Sequence, residues 1–84
     1  MGTKGTRAHD KAPHELEAGE YGKWSADGVF YAVPPGTDLL ANLASHRITE
    51  HEDGTITVSP SILVKGGRGE SWHGFLKRGV WELA

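Results

Sequence analysis

The chain has no cysteine, which removes disulfides, thiolate nucleophiles and Cys-ligated zinc. It also lacks a basic excess. Nine Lys and Arg against eleven Asp and Glu give a formal net charge of −2, whereas a protein built to grip a phosphate backbone usually carries a strong positive balance. No apolar run approaches the roughly 18 residues of a membrane span. The start, Met1-Gly2-Thr3-Lys4-Gly5-Thr6-Arg7, lacks the apolar stretch of a secretory signal. Gly2 after Met1 is a partial match to an N-myristoylation signal and is read as an ordinary start. With 84 residues there is room for one core. These exclusions lead to the expectation of a small soluble domain in the cytoplasm, with no nucleic-acid and no membrane partner. Composition alone names no function.

Large apolar side chains are unevenly spread. Between Gly2 and Gly19 only Leu16 is sizeable, among His9, Asp10, Lys11, His14, Glu15 and Glu17. Such a stretch buries too little surface to offset its ordering entropy, so residues 1–19 are expected to form a flexible arm and residues 20–84 a single β-rich domain. Within that domain, Gly28-Val29-Phe30-Tyr31-Ala32-Val33 is rich in β-branched and aromatic residues and is stopped by Pro34-Pro35-Gly36. The segments 46–51 and 55–59 flank Glu52-Asp53-Gly54, and Asp-Gly between alternating segments predicts a hairpin. Pro60 cannot donate to a ladder, so the chain should bend there or lie at an edge. An extended run resumes at Ser61-Ile62-Leu63-Val64, and Gly66-Gly67-Arg68-Gly69 makes a loop before Trp72-His73-Gly74-Phe75-Leu76. A last tight turn at Lys77-Arg78-Gly79 precedes Val80-Trp81-Glu82-Leu83, with Gly79 suited to a left-handed position. One segment, about 37–44, reads as a short helix, with Thr37 as cap, Asp38 at the positive end and Leu39, Leu40 and Leu43 on one face. The fold expected is mainly β: a small antiparallel sheet of hairpins with at most that one short helix and the N-terminal arm.

Several motifs invite chemistry and do not hold it. Five histidines suggest a metal, yet His46 and His51 are separated by an odd offset that sends them to opposite faces of a regular strand. No helical His pair and no thiolate completes a closed zinc site, so neither metal nor cofactor is expected. Lys65-Gly66-Gly67-Arg68-Gly69 resembles a phosphate loop only superficially, because it lacks the Gly-Lys-Ser/Thr ending and joins strands. Of Trp24, Trp72 and Trp81, at least two are expected to fill the core.

The remaining constellation is Ser59-Pro60-Ser61-Ile62 followed by Ser71-Trp72-His73-Gly74-Phe75. If these segments pair across the glycine-rich loop, Ser61 and His73 approach each other. A serine hydroxyl becomes a nucleophile when a base takes its proton, and histidine titrates where that is useful. No Gly-x-Ser-x-Gly elbow is present. On residues alone, the favoured reading of Ser61 is an ordinary turn hydrogen bond rather than a functional pair with His73.

Thr55-Ile56-Thr57-Val58-Ser59-Pro60-Ser61-Ile62, then Trp72-His73-Gly74-Phe75-Leu76-Lys77-Arg78-Gly79-Val80-Trp81, resembles a small domain family of bacteria and bacteriophages. That family includes the BubE-like proteins of bacterial ubiquitin-like operons, described as serine-peptidase-type deubiquitinases, together with uncharacterised phage proteins. The resemblance covers about residues 46–83. It implies Ser61 as nucleophile and His73 as its base, acting on a peptide or isopeptide bond. The acid that orients the base is open among Glu20, Asp27 and Glu70; Glu20 is preferred because Glu20-Tyr21-Gly22 resembles the family's early strand. The sequence departs from the family where many members carry a Cys-rich element and this chain has residues 30–36. Two functions are therefore carried forward. One is a small serine hydrolase acting near a ubiquitin-like protein. The other is a non-catalytic module that docks on a host or virion protein through its arm and exposed aromatics.

Overall fold

The computed structural model describes residues 2–84, and Met1 lies outside the described residues. In chain order the elements are β1 (Thr3–Lys4), β2 (Thr6–Arg7), a 3-10 turn at Pro13–Glu15, β3 (Glu20–Trp24), β4 (Val29–Ala32), β5 (Ala41–Asn42), β6 (Arg47–Glu50), β7 (Ile56–Lys65), β8 (Ser71–Lys77) and β9 (Val80–Leu83). They form two sheets, one of five strands in the order β1-β9-β8-β7-β6 and one of four in the order β2-β3-β4-β5. All pairs are antiparallel except β2 with β3. The architecture is mainly β, as the strand patterns require. Among the described residues no helix is long and apolar enough to cross a membrane.

The two sheets share one core. Tyr21, Phe30 and Ala32 come from the smaller sheet, and Ile56, Val58, Ile62, Trp72, Leu76 and Trp81 from the larger. The period-2 alternation of strands sends these side chains inward and their neighbours out. Trp72 and Trp81 are the two core tryptophans, packed edge to face at 90° with ring centroids 5.3 Å apart, while Trp24 is only partly buried.

Two expectations are corrected. The segment 37–44 is not a helix. Leu39, Ala41 and Leu43 point inward and Leu40 and Asn42 outward, and β5 pairs with β4 through Tyr31↔Asn42 and Ala32↔Ala41. Thr37 Oγ1 accepts from Leu39 N–H at 3.2 Å, a local turn of the kind that competes with a helical start. The edge of β4 offers this segment a ladder, and two turns of helix have no comparable reward.

The N-terminal segment is likewise no free arm in the structure. β1 lies on β9, with Thr3↔Trp81, and β2 lies on β3, so residues 3–7 cross from one sheet to the other. Gly5 N–H donates to Gly79 O at 2.7 Å and Ala8 N–H to Tyr21 O at 2.8 Å, with Ala8 buried. Arg7 stacks over Phe30, 5.4 Å from the ring centroid, and its Nη1 reaches Glu50 Oε1 at 3.0 Å. Backbone hydrogen bonds and one cation seat this segment, which a count of large apolar residues does not register.

Candidate functional site

The site is built on β7 and β8. The Asp53-Gly54 turn delivers β7 as expected: His51 N–H donates to Thr55 O at 2.9 Å, and β6 pairs with β7 from Glu50↔Ile56 to Arg47↔Ser59. At the other end, Arg78 and Gly79 form a two-residue turn with φ of 47° and 75°, closing Lys77↔Val80. Positive φ at both central positions is what a type I′ hairpin turn requires. It is one residue tighter than the three-residue loop expected. Arg78 N–H donates to Thr57 Oγ1 at 3.0 Å, and Thr57 Oγ1 lies 2.7 Å from His51 Nε2, so β7 side chains hold the turn in place.

The chain bends at Pro60 without ending β7, and because β6 pairing stops at Ser59, β7 from Pro60 onward has a ladder neighbour only in β8. The Ser59–Pro60 peptide is cis, and the strand continues through it as a bulge. Val58 pairs with Leu76 and Ile62 with Gly74, so three residues of β7 (Ser59, Pro60 and Ser61) stand opposite the single Phe75 of β8. The excess is two residues. An even excess preserves the in–out alternation, and Val58 and Ile62 both remain core residues while the chain between them lifts off the ladder.

Ser61 therefore has no register partner on β6 or β8. Its side chain nonetheless reaches His73: Oγ and Nε2 are 3.1 Å apart on the exposed outer face of the sheet. Ser61 is partly buried and His73 exposed. For the hydroxyl to donate in this contact, Nε2 must be bare and Nδ1 must carry the ring proton. The register partner of His73, Leu63, is 58% exposed and lies on the same open surface.

The backbone of the same serine is held by a second histidine. His46 Nε2 lies 3.2 Å from Ser61 O, and because a carbonyl only accepts, this nitrogen is the donor. His46 Nδ1 is buried without a hydrogen-bond partner. His46 and His51 flank β6 rather than lie within it, and both reach back to β7, which strand parity did not anticipate. The metal question is separate from this: among the described residues no three His, Asp or Glu side chains gather as a ligand set.

Of the three candidate acids, none is joined to His73. Glu20 lies on the smaller sheet, where Lys11 Nζ donates to it at 2.9 Å and Glu17 N–H at 2.8 Å. The Glu17 amide first, and then Lys11, holds its carboxyl below the usual range. Asp27 accepts from Tyr31 O–H at 2.6 Å and from Val29 N–H, and Glu70 accepts from Arg68 N–H at 3.0 Å inside the glycine-rich loop. A carboxylate that residue reasoning passed over is better placed. Glu82 stands opposite Phe75 on β9, on the same outer face and one diagonal step from His73.

The loop Gly66–Gly69, considered as a source of oxyanion donors, lies beyond Lys65↔Ser71, at the far end of the hairpin from the bulge. Its own amides are engaged locally, Gly66 N–H with Glu70 O at 2.7 Å and Gly69 N–H with Gly66 O at 3.3 Å. It closes a hairpin and does not face Ser61.

Next to the bulge an open groove of about 650 Å³ runs from Ser59 and Ser61 over Pro60 and Phe75 to Lys77 and Arg78. Lys77 Nζ lies over the Phe75 ring, 4.8 Å from its centroid. A serine–histidine contact at one end of an apolar groove is an arrangement that can transfer an acyl group, given a substrate carbonyl at Ser61 Oγ. No family model matches this chain, and comparison with curated proteins and with solved structures returns no match.

Proposed function

We propose that this protein is a small serine hydrolase in which Ser61 is the nucleophile and His73 its general base, acting on a peptide or isopeptide bond. The observation that carries the reading is the 3.1 Å contact between Ser61 Oγ and His73 Nε2 beside an open groove. In the first half-reaction, Nε2 takes the hydroxyl proton as Oγ attacks the scissile carbonyl. The tetrahedral oxyanion collapses as Nε2 returns that proton to the leaving amine, and an ester remains on Ser61. Water, deprotonated by the same nitrogen, then attacks the ester, and Nε2 returns that proton to Ser61 Oγ as the acid is released. The bulge suits this chemistry because it takes Ser61 out of the ladder while Ile62 anchors the strand beneath it. His46 holds the Ser61 carbonyl, which limits rotation of the nucleophile's backbone. Glu82 is a further candidate for the group that biases His73 toward the Nδ1–H tautomer.

The resemblance to BubE-like proteins supports a ubiquitin-like protein as the substrate partner, and a cytoplasmic setting, bacterial or that of a phage-infected host, goes with it. The test is labelling by a fluorophosphonate probe, read by intact mass and peptide mapping. Labelling should fall on Ser61, vanish in Ser61→Ala, and slow by about 10²–10⁴-fold in His73→Ala, the usual span of a general base. A folded chain whose Ser61 the probe ignores, or labels equally without His73, sinks the proposal. One observation favours the other reading, a non-catalytic module for a host or virion protein. Leu63 is exposed beside His73 on the same face, as a docking surface for an extended segment requires.

A further inference from the structure

We propose that the groove beside Ser61 selects an extended peptide with an acidic side chain about two to three residues from the bond that is cut. The inference rests on the hydrolase reading for the position of that bond, and on the groove itself for the acidic preference. Pro60 and Phe75 supply an apolar floor, and the charged residues that line the groove are Lys77 and Arg78, both cations. Neither takes part in an ion pair; the pairs among the described residues are Arg7 with Glu50 and Lys11 with Glu17 and Glu20.

The two cations differ in their surroundings. Arg78 also borders a neighbouring hollow with Glu50, Glu52 and Asp53, so part of its field is already answered. Lys77 meets no acid within the groove: its ammonium lies over the Phe75 ring, and its acidic neighbour by register, Glu82, is one diagonal step away on β9, on the side of β8 opposite the bulge. Phe75 and Lys77 share the outer face of β8, and strand spacing of ~3.3 Å per residue sets the reach from Ser61 at about two to three substrate residues. The Arg78–Gly79 turn is pinned by Thr57 Oγ1, so the basic end of the groove is built on fixed backbone. Opposite charge at a fixed distance selects register as well as affinity.

The experiment uses the full chain carrying Ser61→Ala and fluorescein-labelled octapeptides with one Leu, for the apolar floor, and a Glu two or three residues beyond it. Matched sets carry Gln or Lys in place of Glu. Fluorescence anisotropy at low salt should show the Glu set binding about three- to tenfold tighter than the Lys set, with the gap closing as salt rises. Lys77→Glu should reverse the order, and this exposed residue lies outside the core. Equal binding of the Glu and Lys sets overturns the proposal, as does an order that Lys77→Glu leaves unchanged. Tighter binding of a dT12 strand than of the Glu set also overturns it, because the groove then answers to phosphate. The hydrolase reading fails separately, through absence of probe labelling at Ser61 in the unmutated chain.

Discussion

Gly74→Ala tests the packing that places His73. Gly74 lies on the inward face of β8, paired with Ile62 on one side and Leu83 on the other. A Cβ built there meets the Glu82 backbone carbonyl and the Trp72 ring, with Cη2 at 2.5 Å and Cζ2 at 2.9 Å. The ring has little freedom to retreat, because Trp72 is buried and packed edge to face on Trp81, which is 2% exposed. The favourable side of the change is small: about 0.4–1 kcal/mol from a less flexible unfolded chain and at most ~0.8 kcal/mol from burying a methyl group. Against it stand overpacking at about 1–3 kcal/mol, a disturbed aromatic pair at about 0.5–1.5, and one or two strained ladder hydrogen bonds at about 1 each. The net expectation is a loss of about 2 kcal/mol. With a urea m-value of about 1–1.5 kcal/mol/M for a chain of this size, the midpoint should fall by roughly 1–2 M. Gly67→Ala is the internal control, since its Cβ meets nothing within 4 Å, and it should move the midpoint by less than about 0.5 M. An alanine at 74 that leaves the midpoint unchanged or raises it refutes the argument that the tryptophan pair and β9 close over this position.

Two further outcomes follow from the same geometry. His46→Ala removes the donor to the Ser61 carbonyl and should slow probe labelling of Ser61 while costing about 1 kcal/mol in urea midpoint terms; His46→Gln, which keeps an N–H of similar reach, should recover part of the labelling rate, a rescue that loss of packing alone would not produce. Both tyrosines should ionise above their ordinary value near 10, Tyr31 because its O–H donates to Asp27 and Tyr21 because burial disfavours the phenolate. A folded value raised in this way stabilises the fold below the unfolded value and loses that contribution as pH rises through the folded one. Phenolate absorbance followed against pH should show it, and Asp27→Asn should bring one of the two transitions back toward 10; an unmoved titration would rule out the Asp27 contact in solution.

The parts of the fold legible in the sequence are those governed by local rules. Asp53-Gly54 and Arg78-Gly79 announce turns because few residue pairs tolerate the backbone they need, and Ile56/Val58 or Trp72/Leu76 reveal a buried face by period 2 alone. The misread segments are those whose state depends on a distant partner. Leu39, Leu40 and Leu43 satisfy a helical face, and 39, 41 and 43 satisfy a strand face; the unpaired edge of β4 decides between them. Residues 3–8 contain almost nothing apolar to read, and their order comes from carbonyls on β3, the 78–79 turn and the loop before β3. At the site, the approach of Ser61 to His73 follows from a hairpin joined at 66–70. The second histidine does not, since His46 reaches Ser61 from fifteen residues away through a fold that no local pattern specifies.

The bulge explains why a serine in the middle of a ten-residue strand can be available at all. β6 ends its pairing at Arg47↔Ser59, so in a regular ladder the backbone of residue 61 would be bound to β8 and its side chain fixed by the pleat. A single extra residue would free the backbone but reverse every side chain beyond it, turning Leu63 and Lys65 into the core and Ile62 and Val64 out to solvent. Two extra residues avoid that reversal: Ile62 stays buried at 1% exposure, while the chain between it and Val58 is released from pairing with β8. Proline suits the release because it has no amide to leave unpaired. The hydrophobic pattern of β7 and the freedom of Ser61 are thus satisfied by one local irregularity. Deleting Ser59 and Pro60 together should keep the core alternation intact and return residue 61 to the ladder opposite Phe75, one diagonal step from His73. A chain that folds after that deletion but no longer reacts at Ser61 would tie reactivity to the bulge rather than to the mere proximity of a serine and a histidine.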